Sequence, residues 1–233
     1  MLVDSHSHLF LEEFSGDLPQ VMQRAHDAGV THIFMPNIDS TTIGPLLSVC
    51  NTYKGFCFPM IGLHPTSVNE SYEKELDIVA HQLAPFNEYV AIGEIGLDLY
   101  WDKTFLKEQL IVFEKQIEWA LEYHLPIVVH CREAFEYIYK VLEPYKKSGL
   151  KGIFHSFTGT SEEAEKLLEF PDFMLGINGV VTFKKSQLAD VLKGIPLTRI
   201  VLETDSPYLT PVPNRGKRNE SANVRDTLMK VAD

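Results

Sequence analysis

Residues 89–130 read YVAIGEIGLDLYWDKTFLKEQLIVFEKQIEWALEYHLPIVVH, and their patterning decides the fold. An apolar run at Tyr89–Glu94 precedes a long segment, Thr104–His124, in which Leu106, Leu110, Phe113, Ile117 and Leu121 recur every three or four residues. That period lines one face of an α-helix. The second run, Ile127–His130, holds three consecutive apolar residues, as a parallel strand buried on both faces does. The stretch is a strand–helix–strand unit.

The same unit recurs in both directions. Upstream, strands are expected at Leu2–Ser5, Thr31–Pro36 and Phe56–Ile61; downstream, at Gly152–His155, Phe173–Ile177 and Arg199–Glu203. Asp17 and Pro19 offer a cap and an early proline for the first helix, and Gly29 its stop. Ser161 followed by Glu162, Glu163 and Glu165 opens another, with acids in its first turns. Eight strands alternating with helices in 233 residues, with no linker or low-complexity stretch, predict one domain over 1–233 folded as a (β/α)8 TIM barrel. An open doubly wound sheet would advertise a glycine-rich turn after its first strand, and none follows here. About thirty residues remain after the last strand, so the final helix is expected to start near Asn219, to be short or truncated, and to leave a thin wall beside strand one.

Composition narrows the function classes. Hydrophobic residues make up 45% and charged residues 23%, ordinary for a soluble globular protein. No stretch approaches the roughly 20 apolar residues of a membrane span, and the N-terminus lacks the pattern of a signal peptide. The three cysteines, Cys50, Cys57 and Cys131, have no zinc-finger spacing and suit a reduced, cytoplasmic protein. Cys131 adjoins a candidate ligand but points to the opposite face of its strand. A net charge of −11 argues against nonspecific coating of nucleic acid, though bound cations and local basic clusters still permit a phosphodiester substrate.

The ionisable residues cluster at strand ends. His6 and His8 follow strand one, Glu94 ends strand four, His130 ends strand five, His155 ends strand six and Asp205 follows strand eight. In this barrel the C-terminal strand ends form the active-site face. His6 and His8, two apart on extended chain, point the same way; Asp4 shares their parity and is expected deeper, behind them. Four histidines and two carboxylates exceed one tetrahedral site, which predicts two divalent cations, Mg, Mn or Zn, with Glu94 as the bridge. A lone histidine at a strand end is more often an ordinary hydrogen-bonded side chain, and His26, His32, His81 and His124 read that way.

These residues also carry a resemblance. Asp4-Ser5-His6-Ser7-His8, Gly62-Leu63-His64-Pro65, Gly93-Glu94-Ile95-Gly96-Leu97-Asp98, His130-Cys131-Arg132-Glu133-Ala134, His155-Ser156-Phe157-Thr158-Gly159 and Glu203-Thr204-Asp205-Ser206-Pro207-Tyr208-Leu209 occur in order across nearly the whole chain, and the tail Thr210–Asn219 fits as well. In these motifs the sequence resembles the TatD family of metal-dependent deoxyribonucleases, related to the amidohydrolase barrels. The resemblance implies that His6, His8 and Asp205 hold one metal, that His130 and His155 hold a second, and that Glu94 bridges them. The family usually continues through a longer terminal helical region, so this is either a short member or a truncated chain.

The resemblance implies a 3'-5' exonuclease-type deoxyribonuclease acting on single-stranded DNA; the ligands suit a water activated by two metals, with Glu94 and Asp205 catalytic and Asp205 the general base. Glu203 is expected to orient ligands from behind. His64, Arg132 and Arg215 are candidate substrate contacts, Arg215 within a basic run with Lys217 and Arg218. One of Phe157, Tyr208 and Trp101 is expected to stack a base. Two other classes stay open: a metal-dependent ester or amide hydrolase, such as an aminoacyl-tRNA deacylase, and a silent scaffold that would show no metal-dependent turnover. Nothing in the sequence calls for a membrane or an obligatory protein partner.

Overall fold

The computed structural model describes residues 1–83 and 88–233. Strand and helix alternate throughout the described residues: β1 (Leu2–Asp4), α1 (Leu18–Asp27), β2 (Val30–Pro36), α2 (Ile43–Thr52), β3 (Cys57–Met60), α3 (Tyr72–Gln82), β4 (Ile92–Asp98), α4 (Leu106–Glu122), β5 (Ile127–Arg132), α5 (Phe135–Leu142), β6 (Gly152–Phe154), α6 (Ser161–Leu167), β7 (Phe173–Ile177), α7 (Leu188–Leu192), β8 (Ile200–Leu202) and α8 (Val224–Ala232). All neighbouring strands pair in parallel, as one ladder of β1 to β3 and another of β4 to β8. Two seams close them into the expected barrel. Ile61 bridges to Ile92 between β3 and β4, and Ser7 bridges to Ser206 beyond the ends of β1 and β8. At the second seam Ser5 N–H donates to the Leu202 carbonyl at 3.0 Å, His8 N–H to Ser206 at 2.8 Å and Asp205 N–H to His6 at 2.9 Å.

Most strands lie within a residue or two of their expected positions. β4 is the exception: it runs to Asp98, so Glu94 stands in its interior and not at its end. Gly96 within this strand serves close packing. A Cβ on Gly96, whose φ is +138°, would lie 2.1 Å from the His130 carbonyl oxygen, next to a register shift between β4 and β5. Gly96→Ala is therefore expected to cost about 3 kcal/mol or more, lowering Tm by roughly 6–12 °C in a chain of this size. Thermal unfolding within 2 °C of wild type would refute the close approach.

The core lies between barrel and helices. The predicted stripe on α4 is present, with Phe113 and Ile117 fully buried, but it is shared with two buried glutamines. Gln109 accepts from the Asp98 N–H at 3.0 Å and donates to its carbonyl at 3.2 Å. Gln116 treats Leu63 the same way, at 2.7 and 3.2 Å. Each amide satisfies backbone that leaves the ladder and so fixes the strand end beside it. The final helix is short, nine residues, and begins after a 3-10 turn at Ser221–Asn223. It packs against β1 and β8. The N-terminal mouth of the barrel is lined by apolar side chains including Leu2, Val3, Phe34, Met60, Val128 and Ile153. The ionisable groups gather at the other end.

Candidate metal centre

Beyond β1 the chain stays extended enough to bring His6 and His8 to the same side, their Nε2 atoms 3.3 Å apart. Asp205 meets them from the β8 side of the seam, its Oδ1 3.8 Å from His6 Nε2 and 3.5 Å from His8 Nε2. Glu94 reaches up from inside β4. Its Oε2 lies 3.1 Å from His6 Nε2 and 3.8 Å from His8 Nε2. Its Oε1 faces the other way, 2.7 Å from His130 Nδ1, 3.3 Å from His64 Nε2 and 3.6 Å from His155 Nε2. One carboxylate thus presents an oxygen to each of two donor groups. His155 stands between them, stacked 3.5 Å from the His6 ring and 3.8 Å from Asp205 Oδ1.

The bends that turn these groups inward are written in the backbone. Glu133, Ser156 and Asp205 adopt positive φ of 52°, 51° and 56° just past β5, β6 and β8. Such left-handed turns cost about 1–3 kcal/mol each for residues with a Cβ. Tertiary contacts hold two of them: Ser156 N–H donates to Glu203 Oε1 at 2.7 Å, and Asp205 N–H donates across the seam to His6.

Behind the convergent atoms lies a layer of supporting side chains. Glu203 lies behind His155, with Oε1 3.0 Å from His155 Nδ1. Asp4 is deeper, as anticipated, but it holds backbone and not an imidazole. It accepts from Thr204 N–H at 2.8 Å and Thr204 Oγ1 at 2.7 Å, fastening β1 to the chain after β8. Burial pushes its carboxyl up to about 7 against those hydrogen bonds. Asp98, which the sequence reading passed over, accepts from or shares a proton with His130 Nε2 at 2.9 Å. Its position four residues after Glu94 on one strand was the available signal. Asn37 donates to the Gly62 carbonyl at 2.8 Å and so braces the turn into His64.

The donor set suits divalent cations. Imidazole nitrogens and carboxylate oxygens gather as His6–His8–Asp205 and His64–Glu94–His130, each set with ligand atoms within 4.8 Å of one another. A third such set is His6–His155–Glu203. His6 and His8 leave their buried Nδ1 atoms without hydrogen-bond partners, so the polar business of both rings is conducted through Nε2. Mixed nitrogen and oxygen ligands fit Zn²⁺ and Mn²⁺, and the carboxylates also fit Mg²⁺. Cys131 does not compete: burial pushes its thiol up to about 12.

Electrostatics are divided within the cluster. Burial pulls His6 and His64 below the ordinary imidazole value and outweighs the attraction of Glu94. Burial opposes the charge on Glu94, yet His64, His6, His155 and the His130 hydrogen bond together hold its carboxyl well below the usual range. For His155, burial is overcome by Glu203 and Glu94, which raise it to about 10; for His130, by Asp98 and Glu94, which raise it to about 8. A cation takes only neutral imidazole, so it must displace protons from these two. Metal affinity is therefore expected to rise with pH through about 8, with protons released on binding. Calorimetry in buffers of different ionisation enthalpy reads that release; none at pH 7 would rule out protonated His130 and His155.

The remaining candidates divide by position. A cleft of about 620 Å³ opens over the cluster, lined among others by His64, Trp101, Arg132 and Tyr208. His64 is held by Thr66, whose N–H and Oγ1 lie 3.1 and 2.7 Å from its Nδ1, and its Nε2 faces Glu94 Oε1 at 3.3 Å. Arg215 lies outside that lining, its guanidinium 3.9 Å over the Phe183 ring. Arg218 is committed to structure, with two hydrogen bonds to Asp17 at 2.8 and 2.7 Å and its guanidinium over Phe14. Of the aromatics considered for stacking, Phe157 is buried, while Tyr208 and Trp101 are exposed at the cleft.

The family model described as TatD related DNase matches residues 3–233. An uncharacterized metal-dependent hydrolase of Bacillus subtilis, YabD, is 38% identical over all of this chain and 91% of its own length. A protein of Pantoea vagans named 3'-5' ssDNA/RNA exonuclease TatD is 32% identical over 99% of this chain and 90% of its own. Among solved structures, the Escherichia coli TatD homolog YjjV superposes with a TM-score of 0.91 at 27% identity, covering 99% of this chain and 89% of that one.

Proposed function

Since the chain belongs to the TatD family of metal-dependent hydrolases, we propose that it is a deoxyribonuclease that shortens single-stranded DNA from its 3' end, using two divalent cations. The observation that carries this reading is the carboxylate of Glu94, with one oxygen toward His6 and His8 and the other toward His64, His130 and His155. His6, His8 and Asp205 would hold one cation, and His130 and His155 the second, with Glu94 common to both. Bound there, cations would supply Lewis-acid stabilisation of phosphoryl oxygens and acidify an attacking water.

The chain's own groups supply the rest. Asp205, held below the ordinary carboxylate range despite burial, is ionised at neutral pH and accepts the proton of the attacking water. His64, neutral through burial, has its Nε2 3.3 Å from Glu94 Oε1 and would turn it to a phosphate or leaving-group oxygen where a cation holds that carboxylate. Arg132 brings a permanent positive charge to the cleft rim. Arg215, with exposed Lys184, Lys185 and Lys217 on neighbouring loops, meets backbone phosphates beyond the cleft. The named activity of the Pantoea relative supports both polarity and strand choice. Three unpaired cysteines suit a reducing cytoplasm, and among the described residues no helix is long and apolar enough to cross a membrane.

Metal-loaded protein should be assayed on end-labelled single- and double-stranded DNA beside ester and amide substrates. Metal-dependent shortening of the single strand from its 3' end is expected. Turnover of an ester or amide with intact DNA would overturn the proposal.

A further inference from the structure

The rim of the cleft between β4 and α4 carries aromatic surface that the chemistry at Glu94 does not use. Trp101 is 70% exposed and Tyr100 50% exposed, whereas the second tryptophan, Trp119, is buried on α4. The Arg132 guanidinium lies 3.9 Å over the Tyr100 ring and 5.2 Å from the Trp101 ring, and the two rings meet edge to face at 4.9 Å. This ledge is anchored to the metal centre. Tyr100 and Trp101 N–H groups donate to Asp98 Oδ1 at 3.0 and 3.3 Å, while Asp98 Oδ2 engages His130 Nε2 at 2.9 Å.

Exposed aromatic rings beside a polar cleft mark a binding surface more often than chance exposure does. The chemistry of this one selects its occupant. An indole face accepts another flat π-system, and a guanidinium already aligned by stacking holds an adjacent phosphate. A base within a duplex has both faces covered by its neighbours and cannot use the ledge; an unpaired base can. We propose that Trp101, Tyr100 and Arg132 form a stacking platform for an unpaired nucleobase beside the scissile phosphodiester, so that single strands are selected at this ledge. The inference rests on the phosphodiesterase reading above and names the side chains that choose the strand.

Tryptophan fluorescence tests binding apart from turnover. A short oligothymidylate with phosphorothioate linkages, added to the metal-loaded protein, is expected to quench Trp101 while buried Trp119 supplies a constant background. Trp101→Phe should abolish the quench. In kinetics, Trp101→Ala should raise KM for single-stranded DNA about tenfold or more, with kcat and duplex-end cleavage within about twofold. Trp101→Phe should recover most of that loss. An abasic sugar at the stacked position should raise the wild-type KM by the same factor and leave Trp101→Ala unaffected. No quench together with an unchanged KM would overturn the ledge while DNA hydrolysis continued to support the phosphodiesterase. Quenching without hydrolysis would support the ledge and overturn the phosphodiesterase. Equal losses on single strands and duplex ends would overturn strand selection here.

Discussion

Glu94→Gln is expected to lower metal-dependent turnover by more than about a hundredfold, because even residues one step removed from a metal cost 10–100-fold. If two cations bind as proposed, it should also reduce the divalent metal retained per chain to one or none. The substitution keeps the shape of the side chain but replaces one acceptor oxygen with an NH2 group. Either orientation then points a donor at one of the two clusters, at His6 and His8 or at His64 and His130. It also removes the negative charge that four surrounding imidazoles stabilise. Metal analysis after dialysis, with circular dichroism to confirm the fold, separates loss of bridging from misfolding. Two retained metals with near-native turnover would sink the bridging role.

The second large effect is on stability. Glu203→Ala removes the acceptor of the Ser156 N–H and the carboxylate facing His155 Nδ1, both fully inside the barrel. Removing one partner of a buried ion pair costs about 3–5 kcal/mol, which at this chain length lowers Tm by roughly 6–20 °C. Glu203→Gln, which keeps the acceptor, should lose less. The effect depends on pH with a definite sign. Glu203 and Glu94 raise the folded His155 from 6.5 to about 10, so in metal-free protein its stabilisation is complete below pH 6.5 and disappears as pH rises through about 10. The gap between wild type and Glu203→Ala should therefore be widest below pH 6.5 and narrow toward pH 10. A gap that is constant across that range would show that the pair is not charged.

Much of this architecture was legible in one dimension. The period of Leu110, Phe113 and Ile117, set between apolar runs, announced a strand–helix–strand unit, and its repetition announced the barrel. Once that was read, the placement of His6, His8, His130 and His155 near strand ends followed from topology, because every such end lies on the same face. The end of β4 lies beyond the expected Glu94, at Asp98. The close approach of the His130 carbonyl shows why glycine stands at 96 within the strand, and that contact lies across the sheet. Asp98 shares a strand face with Glu94 and was open to parity, whereas Gln109 and Gln116 escaped for a different reason. Their role is to satisfy particular backbone atoms across the fold, and no local pattern marks a side chain whose partner is distant in sequence.

What the sequence by itself determined is the repeating unit, the end of the barrel that carries the ionisable groups, and the family to which the chain belongs. These depend on hydrophobic period and residue order, which are local and additive along the chain. What only the tertiary structure decided is how Glu94 divides its two oxygens, which carboxylate stands behind which imidazole, and that Trp101 and Tyr100 share a ledge with Arg132. Those facts depend on ångström-scale distances between strands closed into a ring. Closure brings groups from five strands, β1, β4, β5, β6 and β8, into one site, and no window along the chain contains it.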